Sequence, residues 1–285
     1  MTEEKQLFII TLIILIVGVG TLVALCVVTS GCALPGFPTA PTIPPEEYAP
    51  VFPARTGMLR RAVIAGLTKV DPAANGGWDG DCPGCDVDAD VMALLCREQG
   101  LQVSLHHNAQ ASAPRLVAAA RAAWRDMKAG DLFVFYISGH GGQERDTSGD
   151  EEDGQDETLC LWDGPLSDDF LRGLWDEMPP GIRVLFITDT CNSGTNFKAR
   201  SYRRTVPRRF GGQLIHFGGC DDGKSSYGSA SGGVWTTALI DAWKPGIPLR
   251  VWYMEAASRM TSKQVPAYAE YGDVTEAFRN GAALR

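Results

Sequence analysis

The sequence predicts an α/β fold built on a mainly parallel sheet, and three observations carry that prediction. Asp131–Ser138 and Arg183–Asp189 are apolar runs rich in β-branched and aromatic residues, the pattern of strands buried on both faces. Each run stops at small and polar residues that hold one reactive side chain. The first continues Ser138-Gly-His140-Gly-Gly142 and the second Asp189-Thr-Cys191-Asn-Ser-Gly194. Arg115–Met127 has apolar residues at helical spacing and reads as a crossover helix. Ligands of open α/β sheets bind beyond the carboxyl ends of the strands. Neighbouring strands would therefore bring His140 and Cys191 together there. A thiol attacks as thiolate, and an adjacent imidazole can take its proton. The pattern points to a Cys/His nucleophilic hydrolase.

At the N-terminus, residues 7–28 form an uncharged apolar run of 22, long enough to cross a bilayer as a helix. A cleaved signal peptide is the alternative reading. The long apolar stretch and the start Met-Thr-Glu-Glu-Lys5, which is not basic, favour a retained anchor over residues 1–30. Lys5 is the one positive charge near either end, favouring an inside N-terminus and a folded domain on the non-cytoplasmic side. Residues 33–54 carry seven prolines. Proline fixes φ and lacks a backbone donor, so residues 31–57 read as a semi-rigid spacer. Residues 58–285 are left for the folded domain, expected to be monomeric.

Leu59–Leu67 reads as the first strand, and the loop Asp71–Gly84 is rich in turn-forming Gly, Asp and Pro. Cys82-Pro-Gly-Cys85 has no second CxxC or His pair to complete a zinc site. A local Cys82–Cys85 bond requires an oxidising compartment. Asp86 and Asp88 stand where a helix start favours acids. Leu101–Leu105 alternates like a short strand, with His106 and His107 expected in a solvated loop. Beyond Cys191, Gln213–Ser226 reads as a strand and loop with Cys220 in a structural position. Gly233–Trp243 reads as a helix and Gln264–Pro266 as extended chain.

Charge is unevenly spread. The net charge is −8, yet residues 144–169 hold eleven acids and one Arg and so contribute −10. The remaining +2 is no basic footprint, which argues against a nucleic-acid-binding protein. Mutual repulsion in the acidic stretch favours a bound cation, and oxygen ligands suit Ca²⁺. A solvated acidic face is the competing reading. Residues 198–209 hold six basic residues in twelve: a candidate self-cleavage loop, or a basic face for anionic lipid or for the acidic loop.

Tyr136-Ile-Ser-Gly-His-Gly-Gly142, Gly149–Glu157 and Asp189-Thr-Cys-Asn-Ser-Gly194 resemble three motifs of the metacaspases, in the family's order. The interval of about 50 residues between His140 and Cys191 is the one seen in caspases. The resemblance implies a caspase-like three-layer sandwich with a six-stranded, mainly parallel sheet. It implies a cysteine endopeptidase cleaving after Arg or Lys, with Cys191 as nucleophile and His140 as proton carrier. Gly141 and Cys191 would supply oxyanion N–H groups, with no third orienting residue. Asp88, Ser138 and Asp189 match the family's substrate pocket, although Val87 stands where the family has Asn. Period-2 alternation supports that set, because Ser138 and Asp189 lie two residues before His140 and Cys191. Carboxylates suit a guanidinium. The resemblance also implies a calcium site at Asp156, Asp168 and Asp169. A further family ligand is missing near Asn196 and Lys198. No organic cofactor is expected. Two other classes compete: a catalytically silent scaffold, and a Ca²⁺-binding module at a membrane.

Overall fold

The computed structural model describes residues 49–53, 56–149, 151, 153–196 and 210–285. The apolar run 7–28, most of the proline-rich spacer and the basic loop 198–209 lie outside them. Among the described residues no helix is long and apolar enough to cross a membrane.

A six-stranded sheet forms the middle layer. Its strands are β1 (Arg60–Gly66), β2 (Gln102–His107), β3 (Leu132–Ser138), β7 (Arg183–Asp189), β8 (Gln213–Gly218) and β11 (Ala267–Gly272). The order is β11-β8-β7-β3-β1-β2, parallel except for the edge strand β11. The continuous apolar runs of β3 and β7 follow from burial on both faces. Val63, Phe133, Phe135, Val184 and Phe186 face one core, which is closed by α2 (Ala113–Trp124) and α3 (Asp168–Asp176). Ile64, Val134, Tyr136, Leu185 and Ile187 alternate to the other face. That second core is closed by α1 (Cys85–Glu98), α4 (Val234–Ala242) and α5 (Leu249–Ala257). The result is a three-layer sandwich of the expected class.

Two features depart from the sequence reading. His106 lies inside strand β2, 8% exposed and joined to Ser104 Oγ at 2.8 Å, rather than in a solvated loop. The acidic stretch is not one long loop. Half of it folds into a second, antiparallel sheet of β4 (Gly141–Arg145), β5 (Gln155–Leu161) and β6 (Gly164–Ser167). The strand β4 begins immediately after His140, and the Cys160 N–H donates to the His140 carbonyl at 3.0 Å. The acidic sheet is thereby attached to the strand edge that carries His140. A short hairpin, β9 (Gly228–Ser229) with β10 (Gly232–Gly233), precedes α4, and a final short helix α6 spans Glu276–Arg279.

Candidate active site

The strands β3 and β7 are hydrogen-bonded neighbours in a register that pairs Ser138 with Asp189. His140 and Cys191 each follow by two residues, so topology delivers both to one point on the carboxyl edge. Gly141 shows how close the two segments come. A Cβ built on it would lie 1.9 Å from the Cys191 carbonyl oxygen, so no side chain fits at that position. This glycine is thus required by backbone contact as well as by the oxyanion role expected of its N–H.

Cys191 and His140 are both half-buried. The Cys191 sulfur accepts from the Ser226 N–H at 3.3 Å, a donor suited to a sulfur that develops negative charge. His140 Nε2 meets the Asp81 carbonyl oxygen at 3.2 Å, and the Trp78 ring lies 4.9 Å from the imidazole, centroid to centroid. The expectation of no third orienting group is therefore corrected. A backbone carbonyl holds one ring nitrogen, leaving Nδ1 for the nucleophile. Among the described residues no hydrogen bond yet joins the imidazole to the thiol. Catalytic hydrogen bonds commonly tighten only once substrate is bound.

The loop after Cys191 is clamped from the side. Asn192 has φ 48° and its side-chain oxygen accepts from Gly223 N–H at 2.9 Å. Ser193 Oγ donates to the Cys220 carbonyl and accepts from the Cys220 N–H, both at 3.0 Å. Cys220 is fully buried, in keeping with its structural reading.

Asp88, Ser138 and Asp189 converge beside this dyad. Ser138 Oγ donates to Asp88 Oδ2 at 2.7 Å, and Gly233 N–H donates to Asp88 Oδ1 at 2.8 Å. Asp189 Oδ2 accepts from the Thr236 N–H at 2.9 Å and its hydroxyl at 2.7 Å, while Oδ1 accepts from Ser226 Oγ at 2.5 Å. A Cβ on Gly233 would stand 2.2 Å from Asp189 Oδ2 and 2.9 Å from Asp88 Oδ2, so both carboxylates reach one point of backbone. Burial, then the charge of Asp189, pushes the Asp88 carboxyl up to about 6. Burial also raises that of Asp189. Sequence reasoning missed the supporting groups Ser226, Thr236 and Gln264. Gln264 accepts from the Tyr227 N–H at 3.0 Å and donates to Ser226 Oγ at 2.8 Å. These residues lie far along the chain and belong to no local motif.

The acidic sheet groups its carboxylates differently from the expected metal set. Oxygens of Glu151, Glu157 and Asp168 lie within 4.8 Å of one another. Asp156 and Asp169 are not in this group. Successive residues of a strand face opposite sides, so Asp156 and Glu157 diverge. Asp156 is paired across the ladder with Glu144, whose carboxyl is raised by burial and then by Asp156 and Asp169. Glu157 and Asp168 are 2% and 0% exposed, and hard oxygen donors in such a setting fit a divalent cation such as Ca²⁺. Thr195 Oγ1 links Glu157 (2.6 Å) to Asp222 (2.8 Å), bringing a further acid close to the group.

A parallel sheet flanked by helices, with a cysteine and a histidine on adjacent strand ends, defines a caspase-type cysteine hydrolase. The sequence profile of the caspase domain, peptidase family C14, matches residues 59–274, and the chain belongs to this family of cysteine peptidases. It is 34% identical over 140 residues to metacaspase-2 of Arabidopsis thaliana, covering 41% of this chain and 34% of that protein. Metacaspase-3 of the same plant is 29% identical over 225 residues, covering 66% of this chain and 60% of its own length. The chain thus spans less than two thirds of these relatives. A crystal structure of a Geobacter sulfurreducens protein superposes with TM-score 0.69 at 31% identity, covering 79% of this chain and 98% of that one. Caspase-1 of Spodoptera frugiperda shares the fold at TM-score 0.53 and 16% identity, over 74% of this chain and 86% of the other.

Proposed function

We propose that this protein is a cysteine endopeptidase that cleaves after Arg or Lys. The observation that carries this reading is the pair of buried carboxylates, Asp88 and Asp189, beside the His140–Cys191 edge. Burying two acids together is unfavourable unless positive charge is supplied. A guanidinium or ammonium group at the end of a substrate side chain supplies it, and two carboxylates suit the planar fork of Arg. Cys191 attacks the scissile carbonyl and His140 carries its proton to the leaving amine. The N–H groups of Gly141 and Cys191 would donate to the oxyanion.

Calcium is proposed as the activator. Glu151, Glu157 and Asp168 would hold it, with Asp156 on the opposite face of β5 and Asp169 at the start of α3 adding negative field. A divalent ion held there would offset part of the negative charge on the acidic sheet and so favour its ordered form. Because β4 starts at Gly141, order in the sheet is transmitted to His140. One assay tests both readings: turnover of peptide reporters ending in Arg, Lys or Asp, in calcium and in chelator. Arg and Lys reporters should be cleaved and Asp reporters ignored. Calcium should raise turnover and Tm, and Asp168→Ala with Glu157→Gln should remove both effects. A preference for Asp rejects the pocket, and full activity in chelator rejects the ion.

Residues 7–28 are proposed to anchor the chain as a single-pass span, with 31–57 as spacer and 198–209 as a loop for self-cleavage. Retention of the full chain in carbonate-washed membranes, and release on deleting residues 1–55, is the expected result. A mature chain beginning near Cys32 would replace the anchor with processing.

A further inference from the structure

Cys82 and Cys85 are bonded to one another, while Cys96, Cys160, Cys191 and Cys220 are not in disulfides. The two bonded sulfurs differ in access. Cys82 is half-buried and follows the exposed Asp81, whereas Cys85 is 6% exposed. Cys85 is also the first residue of the 14-residue helix α1, behind Gly84 in a left-handed conformation at φ 95°. A thiolate released there meets the positive end of the helix dipole, although Asp86 and Asp88 in the same turn act against it.

The position of the pair matters as much as its chemistry. The residue before Cys82 is Asp81, whose carbonyl holds His140 Nε2. The loop that leads to it also carries Trp78, whose ring lies against the imidazole. Two backbone bonds tie this loop to the end of β1: Cys82 N–H to Thr68 O at 2.9 Å, and Val70 N–H to Asp79 O at 2.9 Å. On the other side, a Cβ at Gly84 would stand 2.1 Å from the Ser229 carbonyl. That hairpin supplies the Gly233 N–H to Asp88. The crosslink therefore joins the segment that orients the imidazole to the segment that shapes the acidic pocket.

We infer that Cys82 and Cys85 are a reversible thiol–disulfide exchange site for small thiols, and that the bonded form holds His140 in its working orientation. A glutathione thiolate attacks the accessible Cys82 sulfur. The Cys82–Cys85 bond breaks and Cys85 leaves as thiolate, taking a proton from water. A second glutathione thiolate then attacks the glutathione sulfur of the mixed disulfide. Oxidised glutathione departs, and the Cys82 thiolate is protonated. Two glutathione thiols are oxidised and one protein disulfide is reduced. Once the bond is open, the segment keeps the Cys82 N–H to Thr68 O bond at 2.9 Å, the longer Cys85 N–H to Cys82 O bond at 3.4 Å and the exposed Lys69–Asp81 ion pair at 3.5 Å. It has no covalent link across to α1, and the Asp81 carbonyl can leave the imidazole.

The exchange itself is independent of the proposed peptidase reading; its consequence for turnover rests on that reading. The test equilibrates the full chain in glutathione buffers of graded reduced-to-oxidised ratio. Differential alkylation and mass spectrometry read each cysteine, using Cys191→Ala so that the nucleophile does not report. Cys82 and Cys85 should convert together and reversibly, while buried Cys96 and Cys220 stay unchanged. In the same Cys191→Ala samples the His140 ring resonances, one of only four histidine sets, should shift with the state of the pair. In wild-type protein with Cys191 verified as thiol, reduction should lower kcat for an Arg reporter about tenfold and leave KM nearly unchanged, as misorientation of a catalytic group does. Cys82→Ser with Cys85→Ser should sit at the lower kcat and ignore the buffer. A pair fixed in one state across the series overturns the exchange site. Conversion with no change in the His140 resonances overturns the coupling, whether or not the protein proves to be a peptidase.

Discussion

Cys191→Ala should lower kcat/KM for an Arg reporter by about 10⁴-fold or more, the scale on which removal of a nucleophile acts. The fold should survive. The side chain is half-buried, and its sulfur has one short hydrogen-bond contact, from the Ser226 N–H. Losing so small a group from the sheet edge costs at most about 1 kcal/mol, the scale of an ordinary substitution outside a core. Activity and stability should therefore separate cleanly, with Tm nearly unchanged. His140→Ala should be almost as severe, because a nucleophile and its base act as one unit and their losses do not add. Residual turnover above one part in about a hundred in either variant would exclude the dyad.

The resemblance to metacaspases brought the convergence of His140 with Cys191, and of Asp88 with Ser138 and Asp189, within reach of the sequence for a physical reason. β3 and β7 are buried on both faces, so their apolar runs are continuous, and each ends at a single chemical group. Parallel register then fixes which residues face the same edge. The acidic sheet was illegible by the same logic. β5 begins Gln155-Asp-Glu-Thr158 and buries Asp156, Glu157 and Thr158, so hydropathy gives no sign of a strand. The pairing of its acids was equally hidden, because membership of a cluster depends on which strand face each carboxylate takes. His106 misleads for a related reason: its polar side chain is buried within β2 and satisfied by Ser104, which hydropathy does not show. The Asp81 carbonyl leaves no trace in a sequence at all, since every residue has one. Only the path of the loop 71–84 brings it to the imidazole.

Asp189→Asn should reduce kcat/KM for Arg reporters about 100-fold, corresponding to about 3 kcal/mol, the lower range for removing one partner of a buried charge pair. Its effect on Tm should be small. The remaining oxygen can still accept from the Thr236 N–H and hydroxyl, and the new amide can donate to Ser226 Oγ, whose hydroxyl is free to turn. Asp88→Asn should give a smaller loss, and it carries a pH signature. The Asp88 carboxyl is raised to about 6, first by burial and next by Asp189. Its folded value thus lies above the ordinary carboxylate value of about 4. Between those two values the folded protein holds a proton that the unfolded chain has released. Ionising Asp88 therefore takes stability away as pH rises from about 4 to about 6. Cationic substrate acts in the opposite sense, because it binds the ionised form. The measurement is kcat/KM for an Arg reporter divided by that for its uncharged citrulline analogue, a ratio from which the titration of the dyad cancels. In wild-type protein the ratio should climb as pH rises through about 6, and in Asp88→Asn the climb should be smaller, what remains coming from Asp189, whose carboxyl burial also raises. A ratio independent of pH in wild-type protein would mean that Asp88 does not meet the substrate's charge. A citrulline reporter cleaved as well as the Arg reporter would remove the whole pocket from the account.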